Sequence, residues 1–256
     1  MSALAEIVRA GDPDRFTATL AAPEAAREKL WTLYAFNLEI ARAPYVTQEP
    51  LIAEMRLQFW SDVMAEIARG ATPRAHEVAQ PLAALWQTEG LPIALGKEMI
   101  SARRWDVARE PFADEAAMVG HLNATAGHLM WLSARLLGAS AENEPVVRDM
   151  AYASGLANWL VAVPALRAAG RAPLVDESDG PIRALADDGL RRLGQARAER
   201  AHLPASVLPA LLTGWQAGPI LRRAVRSPAR VREGRLQSTE FARRGGLLLR
   251  ALSGRW

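Results

Sequence analysis

Leu33-Tyr34-Ala35-Phe36-Asn37-Leu38-Glu39-Ile40-Ala41-Arg42-Ala43-Pro44-Tyr45 is the stretch on which the reading of this chain turns. Leu30, Leu33, Tyr34, Asn37 and Ala41 recur at spacings of three and four, so they share one face of a helix. Pro23 sits at the first turn of that helix, where its missing N–H costs nothing, and Pro44 closes it just past Arg42. Positions 37, 41 and 45 succeed one another by one turn and carry Asn37, Ala41 and Tyr45, none of them an acid. Glu39 does not substitute, because it stands about 200° around the helix from Ala41.

Outward from this segment the helix signals continue and strand signals are almost absent. The pattern predicts short helices over 2–9 and 14–21, broken at Gly11-Asp12-Pro13-Asp14 with Asp12 or Asp14 as a cap. It predicts a further helix over 51–69, with Ile52, Met55, Phe59, Val63 and Ile67 as its core face. Helices are expected at about 76–88, 92–105, 114–138, 144–168, 181–202, 204–216 and 237–252, with Gly70, Gly90, Gly138, Gly170, Gly180 and Pro204 at the joints. The expectation is one all-α domain over 1–256, a bundle of eight to ten helices.

Composition narrows the chemistry. With 256 residues, half of them hydrophobic, the chain can bury a large core. It has no cysteine, which excludes a disulfide scaffold, a thiolate metal site and a Cys nucleophile. The four histidines, His76, His121, His128 and His202, form no HExxH, and His121 and His128 lie two turns apart, roughly 10.5 Å by helical rise. His121 and His128 read as two hydrogen-bonded helix residues, and no metal is expected. No GxSxG, Walker loop or GxGxxG is present.

Charge is unevenly spread. The segment 219–256 holds ten Arg against Glu233 and Glu240, a local +8 in a chain of net +3. An anionic partner and a solvated arginine face explain this equally well. Residues 237–252 set Phe241, Leu247, Leu248, Leu249 and Leu252 among Arg243, Arg244 and Arg250, which suits a membrane interface or a last helix packed on the bundle. Nucleic-acid binding is not expected, since few aromatics interleave with the basic residues. The richest apolar run, 156–166, contains Asn158 and Pro164 and falls short of the ~20 residues that span a bilayer. The first ten residues lack a signal-peptide core. The expected location is cytoplasmic, at most peripheral on an inner membrane.

Four blocks resemble the squalene/phytoene synthase family, in order and through about residue 175. They are Phe16 with Leu20-Ala21-Ala22-Pro23; Leu33-Tyr34-Ala35-Phe36; Ala124-Thr125-Ala126-Gly127-His128-Leu129-Met130-Trp131 through Leu136-Leu137-Gly138; and Gly155-Leu156-Ala157-Asn158 with Gly170-Arg171-Ala172-Pro173-Leu174. The resemblance implies an isoprenoid-synthase-like bundle. In active members two aspartate-rich motifs hold Mg²⁺ against a substrate diphosphate. Here Asn37, Ala41 and Tyr45 occupy the first motif, and the second, around Asn158 and Ala162, contains no acid between residues 150 and 175. Asp62, Glu66, Asp106 and Asp149 are expected on other helices or other faces.

A narrower resemblance fits these departures. Tyr34 through Ala41, followed by Met55-Arg56-Leu57-Gln58-Phe59-Trp60, is similar to the subgroup of that family containing mitochondrial complex I assembly factor six, which is likewise short of the aspartate motifs. It implies a non-catalytic protein that acts in assembly or maturation of respiratory complex I, with complex I subunits or assembly intermediates as partners. Arg56, Gln58, Trp60, Arg243, Arg244 and Arg250 are the candidate interaction residues. Leu33, Phe36, Phe59, Leu129 and Leu132 are the candidate lining of the former prenyl cavity, with side-chain filling favoured over an open pocket. The rival expectations are a prenyl transferase of the same family, the one case that would require Mg²⁺, and an isoprenoid- or lipid-binding protein.

Overall fold

The computed structural model describes residues 2–47 and 49–256, and among these no β-strand occurs. Ser2 caps α1 (Ala3–Gly11) by accepting from the Ala5 N–H, and Asp12 caps α2 (Pro13–Thr19) by accepting from the Arg15 N–H at 2.9 Å. The decisive segment forms α3 (Glu24–Arg42), which buries ten consecutive or near-consecutive side chains from Leu30 to Ile40. It packs against α1, α5 (Ala79–Glu89) and α9 (His128–Leu136). Ordinary amphipathic helices bury one stripe; α3 is surrounded.

Helix α4 (Pro50–Ala68) departs from the expected register. Ala53, Leu57, Trp60, Val63, Met64 and Ile67 are buried, whereas Ile52 and Met55 are 45% and 64% exposed and Phe59 is half-buried. Two apolar stripes at helical spacing run along this helix. The one carrying Trp60 faces inward because the indole meets the edge of Phe36 at a centroid distance of 5.4 Å.

The expected helix over 92–105 divides at Arg103 into α6 (Ile93–Ala102) and α7 (Arg104–Ala108). The long helix over 114–138 is α8 (Glu115–Leu122) and α9 joined by a π-helical turn, Asn123–Gly127. Next come α10 (Glu144–Ala168), α11 (Asp179–Ala198), α12 (Leu208–Leu212), α13 (Ala217–Arg226), α14 (Ala229–Arg232) and α15 (Glu240–Ser253). The chain therefore has more helical segments than the eight to ten expected, since turns subdivide several of them. Helix α13 was hidden in the arginine-rich stretch. It buries Ala217, Ile220, Leu221 and Ala224, one clean stripe, while Arg222 and Arg226 face out.

A continuous core joins α1, α3 to α6 and α8 to α11 with α13. A separate small cluster of Ala18, Leu212, Trp215 and Leu247, with Ala251 against it, attaches α15. Among the described residues no helix is long and apolar enough to cross a membrane.

Candidate functional site: a cavity between α3 and α10

A cavity of about 460 Å³ opens between α3, α7, the π turn and α10. From α10 it is lined by Gly155, Asn158, Trp159, Ala162, Ala165 and Leu166, and from the residue just past its end by Ala169; their offsets of three and four form one stripe along the helix. From α3 come Asn37 and Ala41, with Tyr45 just beyond the helix end. The two helix faces that the sequence marks as the altered motifs thus meet across one space. A side chain at Gly155 would close part of it, because a Cβ there would stand 2.7 Å from the Ala126 Cβ on the π turn.

The cavity has one carboxylate, Asp106 of α7. Sequence reasoning set this residue aside on another helix, but the break at Arg103 turns α7 so that Asp106 reaches the lining, where it is 1% exposed. Tyr45 Oη donates to Asp106 Oδ1 at 2.6 Å, and Arg103 Nη1 lies 3.7 Å from Oδ2. Burial, reinforced by the Asp106 charge, holds the Tyr45 phenol above its ordinary range, so the hydroxyl stays a donor. Arg171 seals the arrangement. Its guanidinium donates to the Asp106 backbone carbonyl at 2.5 Å, also donates to the Ala169 carbonyl, and lies 5.0 Å above the Tyr45 ring. The loop carrying Arg171 leaves α10 through Gly170, whose φ of +76° suits a glycine C-terminal to a helix. It is pinned by the Trp159 indole donating to Pro173 O at 2.8 Å.

Cations share the rim. Arg15 and Arg103 both line the cavity, Arg15 lying 3.3 Å from Asp12 and 5.2 Å over the Tyr34 ring. A Mg²⁺–diphosphate claw needs carboxylates converging from two helices. Here one carboxylate is engaged by a phenol and a guanidinium, and the facing helix offers only an amide, Asn158. These residues do not fit such a metal. Among the described residues no three His, Asp or Glu side chains converge as ligands anywhere.

The candidate lining residues separate. Leu129 lines the cavity, but Leu33, Phe36 and Leu132 are fully buried in the core and do not reach it. A second, small space of about 20 Å³ shares Leu129 and Asn158 and lies against Tyr34, Met130 and Ser133. The expected lining is thus mostly packed as core, and the open cavity is bounded by other residues. Phe59 belongs to a different surface groove, of about 590 Å³, with Glu39, Arg42, Met55, Arg56 and His76. Trp60 touches this groove yet is buried as core, and Gln58 bonds its own helix at Asp62, 2.8 Å away. Arg243 and Arg244 belong to α15 and line a separate groove between that helix and α2, and Arg250, also of α15, donates to Gly246 O at 3.2 Å.

Of the two helix histidines expected to be hydrogen-bonded, His128 is, whereas the buried Nε2 of His121 has no hydrogen-bond partner among the described residues. His121 sits among Trp105, Phe112 and Trp159, with ring centroids 5.1 to 5.6 Å away. Burial, with the charge of Arg103, pushes it down to about 3. His128 bonds Glu98 at 2.6 Å and Arg148 at 2.7 Å, and burial lowers its pKa as well.

The squalene/phytoene synthase family model matches residues 8–178, which includes the cavity walls from Arg15 to Arg171. The chain belongs to the squalene/phytoene synthase family. A dehydrosqualene synthase crystallised with a ligand superposes with a TM-score of 0.82 at 13% identity, covering 98% of this chain and 94% of that one. Squalene synthase HpnC from Alicyclobacillus acidocaldarius gives 0.75 at 15% identity, covering 88% and 93%. At these identities the likeness is one of fold. Human NADH dehydrogenase (ubiquinone) complex I, assembly factor 6 is 23% identical over 164 residues, 62% of this chain and 48% of that protein. The chain spans about half the length of the curated relatives it matches.

Proposed function

We propose that this family member is non-catalytic and acts in assembly or maturation of respiratory complex I at the inner face of the membrane. The observation that carries the reading is the single carboxylate of the cavity, already bonded by Tyr45 and faced by Arg103, where prenyl transfer requires two acid clusters. The scaffold is kept while the metal chemistry is not supported. The similarity to human complex I assembly factor 6 supplies the direction of the assignment, and complex I subunits or assembly intermediates are the partners it suggests. Deleting the gene should lower assembled complex I and NADH-linked respiration. Unchanged levels of both would overturn the role.

A second reading has its own observation, the open, mostly apolar mouth of about 460 Å³. Such a space suits part of an isoprenoid or lipid chain. Native mass spectrometry of the purified protein would reveal a co-purified ligand. Condensation product from farnesyl or geranylgeranyl diphosphate with Mg²⁺ would instead restore prenyl transfer.

A further inference from the structure

The groove of about 590 Å³ lies between α3 and α4. Its α3 wall carries Glu39, Arg42 and, just past the helix end, Val46, at offsets of three and four. Its α4 wall carries Ile52, Met55, Arg56 and Phe59, spaced in the same way over about 10 Å of helix. Val46, Ile52 and Met55 are exposed, so both walls show apolar surface to water. The aromatic side chains are held in place. Trp60 meets Phe59 edge-on at 5.2 Å, the His76 ring lies 5.4 Å from Phe59, and the Arg74 guanidinium stands 5.3 Å over the Phe59 ring. His76 Nδ1 accepts from the Val78 N–H at 3.1 Å, which fixes its ring.

The charges of this groove stand without partners. Among the described residues neither Glu39 nor Arg56 has an ion pair, whereas nearby charges are matched: Arg74 with Glu66 at 2.9 Å and Arg104 with Glu54 at 2.7 Å. The sequence explains Arg56, since the positions one turn to either side hold Ile52, Ala53, Phe59 and Trp60 and no acid. Glu39 has Arg42 three residues on, yet the two do not pair. Arg42 turns instead to Gly11 at the end of α1, its Nη2 standing 2.5 Å from the position of a Cβ there. An unpaired acid and an unpaired base thus share one groove with apolar walls.

The geometry points to this groove as the docking site for a polypeptide segment of a partner protein, one that seats a bulky apolar side chain against Met55 and Phe59 and brings an acid to Arg56 and a base to Glu39. The inference deepens the partner-binding part of the function proposed above, and rests on that reading, by naming the surface and the chemistry of what it holds. Charge decides the class of occupant. An anionic bilayer or a nucleic acid would suit Arg56 and be repelled by Glu39, and a neutral lipid would leave both charges covered and unpaired. A polypeptide supplies an acid, a base and an apolar anchor within a few residues. Met, Arg, Phe and Trp are the side chains enriched at protein interfaces, and a groove gives an anchoring side chain a place to enter. A concave face does not complement itself, which sets aside a twofold pairing of two copies.

The test is selection of a displayed library of random dodecapeptides on the full chain, repeated on Arg56→Glu and on Glu39→Lys. The wild type is expected to enrich peptides that set a bulky apolar residue between an acid and a base. The acid should become a base on Arg56→Glu, and the base an acid on Glu39→Lys. In fluorescence anisotropy the leading wild-type peptide should bind Met55→Lys about tenfold or more weakly. All three replaced side chains are exposed or half-buried, so unchanged melting temperatures confirm the fold. No enrichment, selected charges that ignore the two reversals, or equal binding to Met55→Lys would overturn the proposal. So would a dimer in light scattering that Met55→Lys dissociates, since the occupant is then a second copy. Returning Met55→Lys to the deletion strain separates the two readings. Complex I restored in full, where deletion lowers it, leaves the assembly role and removes the groove. Selection that follows the reversals, while deletion leaves complex I unchanged, keeps the groove and removes the assembly role.

Discussion

Tyr45, at one of the two positions where the family resemblance leads one to expect a key acid, donates a hydrogen bond to Asp106 and adds no carboxylate of its own. Asp106 Oδ2 has no hydrogen-bond donor of its own, so Oδ1 depends on the Tyr45 hydroxyl. Tyr45→Phe should cost about 1.5–3 kcal/mol, the usual loss when a hydrogen bond to a buried charge is removed. Thermal unfolding checks it, and Asp106→Asn in the same background should recover part of the loss. His121 sets a pH dependence of definite sign. Its folded pKa is depressed to about 3, so the folded state prefers the neutral ring while the unfolded chain takes up a proton near its ordinary value. Stability is then fully present above about 6.5 and is lost as pH falls from there toward 3. By about pH 5 the loss reaches roughly 2 kcal/mol from this one group. Denaturant midpoints for wild type and His121→Leu should diverge over that interval, and curves that stay parallel would remove His121 as the cause.

At the scale of the element, Gly155 shows why α10 comes so close to the π turn. Gly155→Val should destabilise by about 1–3 kcal/mol through forced separation of the two segments. Gly120→Ala on α8 meets nothing within 4 Å and should be neutral or stabilising by up to about 1 kcal/mol. Helix α4 makes the complementary case. Trp60→Ala should cost about 3–5 kcal/mol, and Met55→Ala within about 0.5 kcal/mol, because only the indole is packed inside. Periodicity made α4 legible as a helix but could not choose between its two apolar stripes, since that choice is decided by Phe36, distant in sequence. The all-α class and most helix positions were legible for the same reason that α4 was. Helix α13 was not, because Gly218-Pro219 and the clustered arginines masked a four-residue apolar stripe. Asp106 escaped notice at the site because nothing local announces that a helix breaks at Arg103 and swings a buried acid onto a cavity wall.

Across the whole molecule, the retained bundle and the altered cavity make opposite demands on a ligand. The fold still brings the α3 and α10 faces together, yet the rim now bears Arg15 and Arg103, and its acid is engaged internally. Such a rim attracts an anion directly and gains nothing from a bridging cation, since Mg²⁺ would have to displace Tyr45 and lie beside a guanidinium. Ligand binding raises stability by mass action, about 2.7 kcal/mol at a hundred times Kd. For a chain of this size each kcal/mol is worth about 2–4 °C of melting temperature. Farnesyl diphosphate with Mg²⁺ should therefore raise the melting temperature no further than farnesyl diphosphate with EDTA. A Mg²⁺-dependent gain of several degrees would mean that carboxylates from elsewhere in the chain converge when ligand binds, and the non-catalytic reading would fall with that result. Equal curves would instead separate the two properties that the family ordinarily couples, a cavity between α3 and α10 and the metal that makes it reactive.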